Sequence, residues 1–414
     1  MVSMELSKNK IYSLLFVGYF VFMGTTLSLT LGLTPISFIG NAVIMLLPIL
    51  IIAWSLRSTV LSLHDICIGF ATSLMILVPL FNMLIYSRSY IGVVQTASFI
   101  FSWLVLLGVL FNQEYISKNQ DKFWRWFNNF SVIFIFLGLL EYIACFFFDV
   151  VPPYAETANG DFFVGYFTIF HVIEDAQLPH FRFYGPFGEP GDLAMWSSVL
   201  IFYNLLRKNY LALIILCIGA FLTFSPSIFI SILIAFVFYS IKKKGILYLP
   251  VAITLIALLI FFFGSYFVDF LQEILINKER SLTSRYDSTF SFFSQLGFLI
   301  TNYPLGIPAF ETTAEAYASG ISFPANFSAI TAYERGGIIV FALYLLFLSY
   351  GAFNSIFSIL VSKENFISNE IYLYYLILLP FVVQRGSLFE LGIFPLLFGG
   401  VFFQKLRPNQ LVTA

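Results

Sequence analysis

Charge is what this chain most lacks. Asp, Glu, Lys and Arg make up 10% of its 414 residues, against about 25% in a soluble domain. So few charges cannot coat a fold of this size, which excludes a cytosolic enzyme. Its high apolar content excludes a disordered scaffold. The formal net charge is −1, so no basic field is present to hold nucleic acid. Cysteine is scarce as well. Cys67, Cys145 and Cys217 all fall inside apolar runs with no C-x-x-C spacing, which argues against a disulfide framework or a zinc site. They are expected to be small buried hydrophobes, and no metal or cofactor is expected. No small-residue cleavage site follows the first apolar segment, 11–34, which is therefore expected to remain as a span.

What is abundant is apolar surface. Hydrophobic residues make up 59% of the chain and aromatic residues 20%, and the mean hydropathy is +0.91. A helix needs about 20 apolar residues to cross the hydrocarbon core. Runs of roughly that kind number about twelve: 11–34, 36–56, 65–86, 91–112, 130–151, 191–206, 210–225, 227–241, 246–269, 335–361, 369–385 and 387–403. The expectation is an all-α polytopic membrane protein, with residues 1–414 forming a single transmembrane domain.

Basic residues orient the spans. Placing the N-terminus in the cytoplasm puts Lys8, Lys10, Arg57, Lys118, Lys122, Arg125, Arg207, Lys208, Lys242, Lys243, Lys244, Lys363, Lys405 and Arg407 inside. Both termini are then cytoplasmic. Arg88, Arg182, Lys278, Arg280, Arg285, Arg335 and Arg385 remain outside. The inner set is mostly lysine and the outer set almost all arginine. Topology asks only for positive charge, whereas a guanidinium fork binds phosphate through two parallel hydrogen bonds. The outer arginines therefore point to a phosphorylated ligand, with pairing to neighbouring carboxylates as the plainer alternative.

Two external loops, 152–190 and 270–334, are too long to be simple connections. The first ends His180-Phe181-Arg182-Phe183-Tyr184-Gly185-Pro186-Phe187-Gly188-Glu189-Pro190-Gly191-Asp192. Its glycines and prolines force turns until a helix can start, with Asp192 or Gly191 as the expected N-cap. Phe181, Phe183, Tyr184 and Phe187 suit either a sugar-stacking surface or an interfacial aromatic belt. In the second loop, Tyr286, Phe290, Phe293, Leu296 and Ile300 recur at helical spacing after Ser284-Arg285. That spacing predicts an amphipathic helix lying on the bilayer or capping the bundle. The helix should stop at Asn302-Tyr303-Pro304-Leu305-Gly306, and Glu334-Arg335-Gly336-Gly337 should open the next span. Arg335 at a helix start opposes the macrodipole, so an anion is expected beside it.

Three features together resemble the O-antigen polymerase and O-antigen ligase superfamily of bacterial surface-glycan enzymes. They are R-x-x-G-x-F-x-E-P at Arg182–Pro190, Ser284-Arg285 followed by N-x-P-L-G at Asn302–Gly306, and the pair Gly336-Gly337. The likeness covers roughly residues 130–345. It implies a GT-C-like bundle and a metal-independent, inverting glycosyltransferase of the bacterial cytoplasmic (inner) membrane. The implied substrate is an oligosaccharide on undecaprenyl pyrophosphate, held among membrane lipid at the outer leaflet, and a chain-length regulator is an expected protein partner. The family's pyrophosphate-binding arginines map to Arg182 and Arg285, and less distinctively to Arg335; Arg280 is a further external arginine near them. For the base that activates the acceptor hydroxyl, Glu189 stands first, His180 second and Asp287 third.

The chain departs from the ligases in one informative respect. No histidine occurs in residues 270–334, where a ligase carries an external one, and this favours a polymerase. Ser225-Pro226-Ser227 stands where many relatives have a Ser-Arg pair. A flippase for the same lipid-linked unit is the rival from another class. It would call for internal repeats and a charged midplane cavity. The chain shows no repeat, and Glu141 alone lies deep in a span.

Overall fold

The computed structural model describes residues 62–86, 90–147, 154–157, 160–164, 169–172, 182–185, 187, 190–223, 225, 227–244, 290–307, 321, 328–361, 370–384 and 393–403. The spans expected at 11–34, 36–56 and 246–269 lie outside them. Among the described residues, three helical stretches, Leu63–Ile85, Asn119–Ala144 and Ala329–Leu360, are long and apolar enough to cross a membrane, and shorter apolar helices accompany them. Their outward faces are greasy: Leu211 is 72% exposed and Phe353 69%. Such stripes on long apolar helices suit a lipid environment. The chain is a helical membrane protein.

The expectation of an all-α fold needs one correction. Between helices lies a four-stranded antiparallel meander: β1 (Tyr154–Thr157), β2 (Gly160–Val164), β3 (Ile169–Val172) and β4 (Arg182–Phe183), in that spatial order. These strands are two to five residues long, too short for hydropathy to separate from loop. Their pairing comes from neighbours rather than from local propensity.

The chain divides into two compact units. The first contains the described residues 120–244. It opens with the part of α3 (Gln113–Phe147) from Gln120 onward; the start of α3, with α1 (Leu63–Tyr86) and α2 (Tyr90–Phe111), belongs to the other unit. Hydropathy placed residues 113–129 in a charged loop, but the helix runs straight through them. Phe123, Trp124 and Phe127 fall on one face and are buried, while Arg125 turns outward. The rings of Phe127 and Trp196 meet edge-on at 4.7 Å, and Trp124 stacks on Tyr203 at 6.4 Å. Trp196 and Tyr203 lie on α4 (Pro190–Leu206), which is followed by α5 (Tyr210–Phe221) and α6 (Ser227–Lys244). Buried Asn204 donates to Asn128 Oδ1 and to the Leu200 carbonyl, fastening α4 to α3 where no water can compete.

The second unit holds α1, α2, a helix α7 over 290–302, α8 (Ser328–Val361), α9 (Glu370–Gln384) and α10 (Ile393–Phe403). Trp103 is fully buried and packs on Phe347 at 4.9 Å. Tyr375 lies among Phe394, Phe398 and Phe402, and its hydroxyl donates to the Leu348 carbonyl at 3.3 Å. Gly351 leaves room for that ring, since a Cβ there would collide with it. At the start of α1, Ser62 and Asp65 form a reciprocal capping box. Asp65 also accepts from Gln113 at 3.1 Å, and the neighbouring His64 reaches the Tyr350 hydroxyl at 2.8 Å.

Two cysteines are not buried as expected. Cys67 and Cys217 are exposed on the outer faces of α1 and α5, among side chains that would face lipid. The side chain of Cys145 lies outside the described residues.

Candidate functional site

In the second unit, two motifs that are thirty residues apart in sequence interlock. The helix expected to begin at Arg335 begins instead at Ser328 and breaks at Gly336-Gly337. Gly336 takes φ −154, ψ 21, and Gly337 takes φ 64, ψ −156. The latter conformation is essentially reserved for glycine. Into this break fits the turn that ends α7, Tyr303-Pro304-Leu305-Gly306-Ile307. The Ile338 N–H donates to the Pro304 carbonyl at 3.3 Å, and the Ile307 N–H donates to the Glu334 carbonyl at 3.0 Å. Backbone groups freed by the break are thus taken up by the turn, which is how a broken helix survives in an apolar setting.

Glycine is needed because the backbones nearly touch. A Cβ on Gly337 would land on the Pro304 carbonyl oxygen, and one on Gly306 (φ +112) would strike Asn82 and the Glu334 carbonyl. The side chain of buried Asn82, on α1, donates to the Leu305 carbonyl at 2.8 Å and to the Glu334 carbonyl at 3.2 Å, bridging turn and break. Tyr333 donates to the Tyr303 carbonyl at 3.1 Å. Asn82 was not a candidate on sequence, because a lone Asn within a span carries no motif. Replacing it with Leu keeps the branched shape but removes this donor: the Glu334 carbonyl retains the Ile307 N–H, and the Leu305 carbonyl loses the Asn82 amide. We expect Asn82→Leu to cost about 1–3 kcal/mol for that carbonyl, seen as a lower thermal midpoint of the purified protein.

This geometry corrects the reading of Arg335. It does not stand at a helix start. It is the last residue before the break, at the C-terminal end of the half-helix 328–335, where a cation is favoured. No extra anion is needed to explain it. Glu334 and Arg335 are both half-buried beside the turn. The half-helix from Ile338 to Val361 extends about 36 Å at 1.5 Å per residue, enough to span unaided, so the break falls at one end of a membrane-crossing length.

Helix α7 carries apolar residues on two faces. Phe290, Phe293 and Ile300, the expected apolar stripe, are exposed, at 65%, 52% and 39%. Phe292 and Leu299 point inward instead, with Phe292 packed edge-on against Tyr333 at 5.4 Å. The helix is apolar on both sides, one set aside for the bundle and the other for lipid.

In the first unit, Arg182 opens β4, and Phe183 beside it anchors the strand. Phe183 is fully buried, meets Tyr142 edge-on at 5.6 Å, and donates its N–H to the Leu222 carbonyl at the end of α5 at 3.0 Å. Tyr184 and Phe187 are buried too, joined by a turn in which the Phe187 N–H donates to the Tyr184 carbonyl at 3.3 Å. These three aromatics therefore serve packing rather than an open stacking surface; Phe181 lies outside the described residues. Gly185 makes the bend with φ +58. The next helix begins at Pro190, not after Asp192, so Asp192 sits in its first turn rather than at the cap. Proline suits that first position because its missing N–H is not required there.

Of the residues expected to bind or react, Glu189, His180, Asp287, Arg280 and Arg285 lie outside the described residues, and for Arg182 only the backbone position is given. Arg335 lies among the described residues, half-buried beside the turn. Register adds one residue that sequence reading missed. His171 stands directly opposite Arg182 across β3 and β4, and opposite Phe162 across β2 and β3. The adjacent row runs Tyr154, Phe163, Phe170, Phe183. Among the described residues no group of three or more His, Cys, Asp or Glu stands together to hold a metal ion. Comparison with protein-family models, with curated proteins and with solved structures finds no match for this chain.

Proposed function

We propose that this protein is a polysaccharide repeat-unit polymerase of the bacterial cytoplasmic membrane, built on about twelve spans with both termini in the cytoplasm. It transfers a glycan from an undecaprenyl-pyrophosphate carrier at the outer leaflet to the non-reducing end of another lipid-linked repeat unit. The observation that carries the reading is the interlocked joint: N-x-P-L-G and the glycine pair, two of the motifs behind the superfamily resemblance, form one structural element. The arginine-rich outer face supports it further.

The chemistry asked of the site is modest. As the bond from the anomeric carbon to the carrier oxygen breaks, negative charge develops on the diphosphate. Preorganised guanidinium groups in a partly desolvated site stabilise that charge without a metal. Arg182 and Arg285 take this role, with Arg280 and Arg335 as further donors. Opposite the leaving group, the acceptor hydroxyl attacks and gives its proton to a carboxylate or imidazole. Glu189 is the first choice for this base, followed by His180 and Asp287.

The reading is tested by electrophoresis of surface glycan from cells lacking the protein. Single repeats in place of a ladder are the expected result. Full-length polymer stranded on the carrier would mean a ligase, and single units trapped at the cytoplasmic face would mean a flippase. An unchanged ladder would remove the glycan reading altogether.

A further inference from the structure

The first unit carries a basic cluster at the end of α3 away from the sheet. Along α3 from Trp124 to Phe127 the ring partners on α4 fall from Tyr203 to Trp196, so the two helices run antiparallel. Residues of α3 around and before Trp124 and residues of α4 after Tyr203 therefore lie toward one edge. Lys122 and Arg125 stand there on α3, with Arg207 and Lys208 in the turn that leads into α5. Among the described side chains at this edge Asp121 is the opposing carboxylate, and four cations against one leave the cluster net positive. Near the other end of α3, Tyr142 meets Phe183 of β4. From Trp124 to Tyr142 the helix rises about 27 Å at 1.5 Å per residue, close to the hydrocarbon thickness of about 30 Å. The cluster and the sheet thus belong to opposite ends of a membrane-crossing length.

Two of these cations are held in place by more than charge. The Arg207 guanidinium carbon lies 3.8 Å from the centre of the Tyr203 ring, which itself stacks on Trp124 at 6.4 Å. An exposed side chain that would otherwise sweep through many rotamers is held over one ring. Lys208 is exposed and takes φ +56, a left-handed conformation that a Cβ opposes and that glycine usually fills just past a helix end. The dipole of α4 favours a cation near this end, but it does not call for lysine at the position where glycine fits best. Leu205, Tyr210 and Leu211 flank the turn and are exposed. Apolar side chains beside fixed cations describe the level where acyl chains give way to headgroups.

We propose that this cluster binds the phosphate of an anionic glycerophospholipid, on the membrane face opposite the sheet. The Arg207 guanidinium forks two phosphate oxygens and Lys208 adds a point charge beside it, while the acyl chains lie along Leu205 and Leu211. The site stands apart from the glycan chemistry, because Arg182 begins a strand at the far end of α3. Each cation at such a surface strengthens binding about fivefold.

The full-length protein in detergent is titrated with phosphatidylglycerol, with phosphatidylcholine of the same acyl chains and with inorganic phosphate, and affinity is read from the rise in thermal midpoint. Phosphatidylglycerol alone should raise the midpoint saturably. Lys208→Gly should weaken its binding about fivefold, and the double variant Arg207→Gln, Lys208→Gly roughly 25-fold. Without lipid, the midpoint of Lys208→Gly should be equal or higher, since glycine relieves the left-handed residue. Lys405→Gln removes one charge elsewhere in the chain and should leave the affinity unchanged. Equal responses to the two lipids, unchanged affinity in Lys208→Gly or an equal loss in Lys405→Gln would overturn the site. Free phosphate as effective as phosphatidylglycerol would make it an anion site with no lipid specificity, and a lower lipid-free midpoint in Lys208→Gly would make that lysine structural; either result overturns the lipid assignment.

Discussion

Gly337→Ala is expected to yield almost no folded protein. The added methyl group would occupy the position of the Pro304 carbonyl oxygen, and backbone cannot swing aside as a flexible side chain can. The residue would also be forced to keep φ 64, ψ −156, where an alanine is strained by about 1–3 kcal/mol before any clash is counted. Together these exceed the roughly 4–5 kcal/mol at which single substitutions become exceptional, against a total stability of only about 5–15 kcal/mol. Gly297→Ala supplies the contrast. Gly297 lies on the exposed side of helix 290–302 with open space where its Cβ would be. There the same substitution should stabilise by about 0.4–1 kcal/mol, by restricting the unfolded chain. Monodisperse yield on gel filtration separates the two outcomes. Equal yields from both variants would mean that the interlocked joint is not formed as described.

Arg182→Lys is expected to abolish polymer while leaving the protein's amount and dispersity normal. Lysine keeps the positive charge, and a two-residue edge strand beginning at that position makes no special demand for arginine. What is lost is the planar fork, which a point charge cannot replace at a diphosphate. Removing one preorganised donor to developing charge costs about 100- to 1000-fold in rate, enough to erase a ladder that needs many successive transfers. Arg285→Lys should behave alike. Normal polymer from both lysine variants would remove the leaving-group role assigned to them. A loss of protein together with polymer would instead mark Arg182 as structural.

Hydropathy made several helices legible to within one to four residues at their ends. Segments expected at 191–206, 210–225 and 369–385 appear as Pro190–Leu206, Tyr210–Phe221 and Glu370–Gln384, because continuous apolar runs bounded by Pro, Asn or charged residues leave little choice. What hydropathy could not show was structure decided by pairing or by burial on one face. Residues 113–129 carry Lys118, Lys122 and Arg125, so a window average reads loop, yet Phe123, Trp124 and Phe127 share a face and bury it. Residues 328–334 read as loop for a similar reason, being most of a short half-helix held by tertiary contacts.

The site was legible as motifs but not as geometry. Asn302–Gly306 and Gly336-Gly337 could be picked out for their glycines and proline. Nothing in the sequence says that Asn82, more than 200 positions away, ties them together. Likewise His171 gains its interest only from register, which places it opposite Arg182.

The central claim is tested most directly by reconstitution. The full-length protein, purified into vesicles, is supplied with one repeat unit on undecaprenyl pyrophosphate and no other protein or metal. A ladder of lipid-linked products should form, releasing one undecaprenyl pyrophosphate per added unit, and Arg182→Lys should stop both. Unchanged monomeric substrate, with protein that is folded and correctly inserted, would contradict the polymerase account.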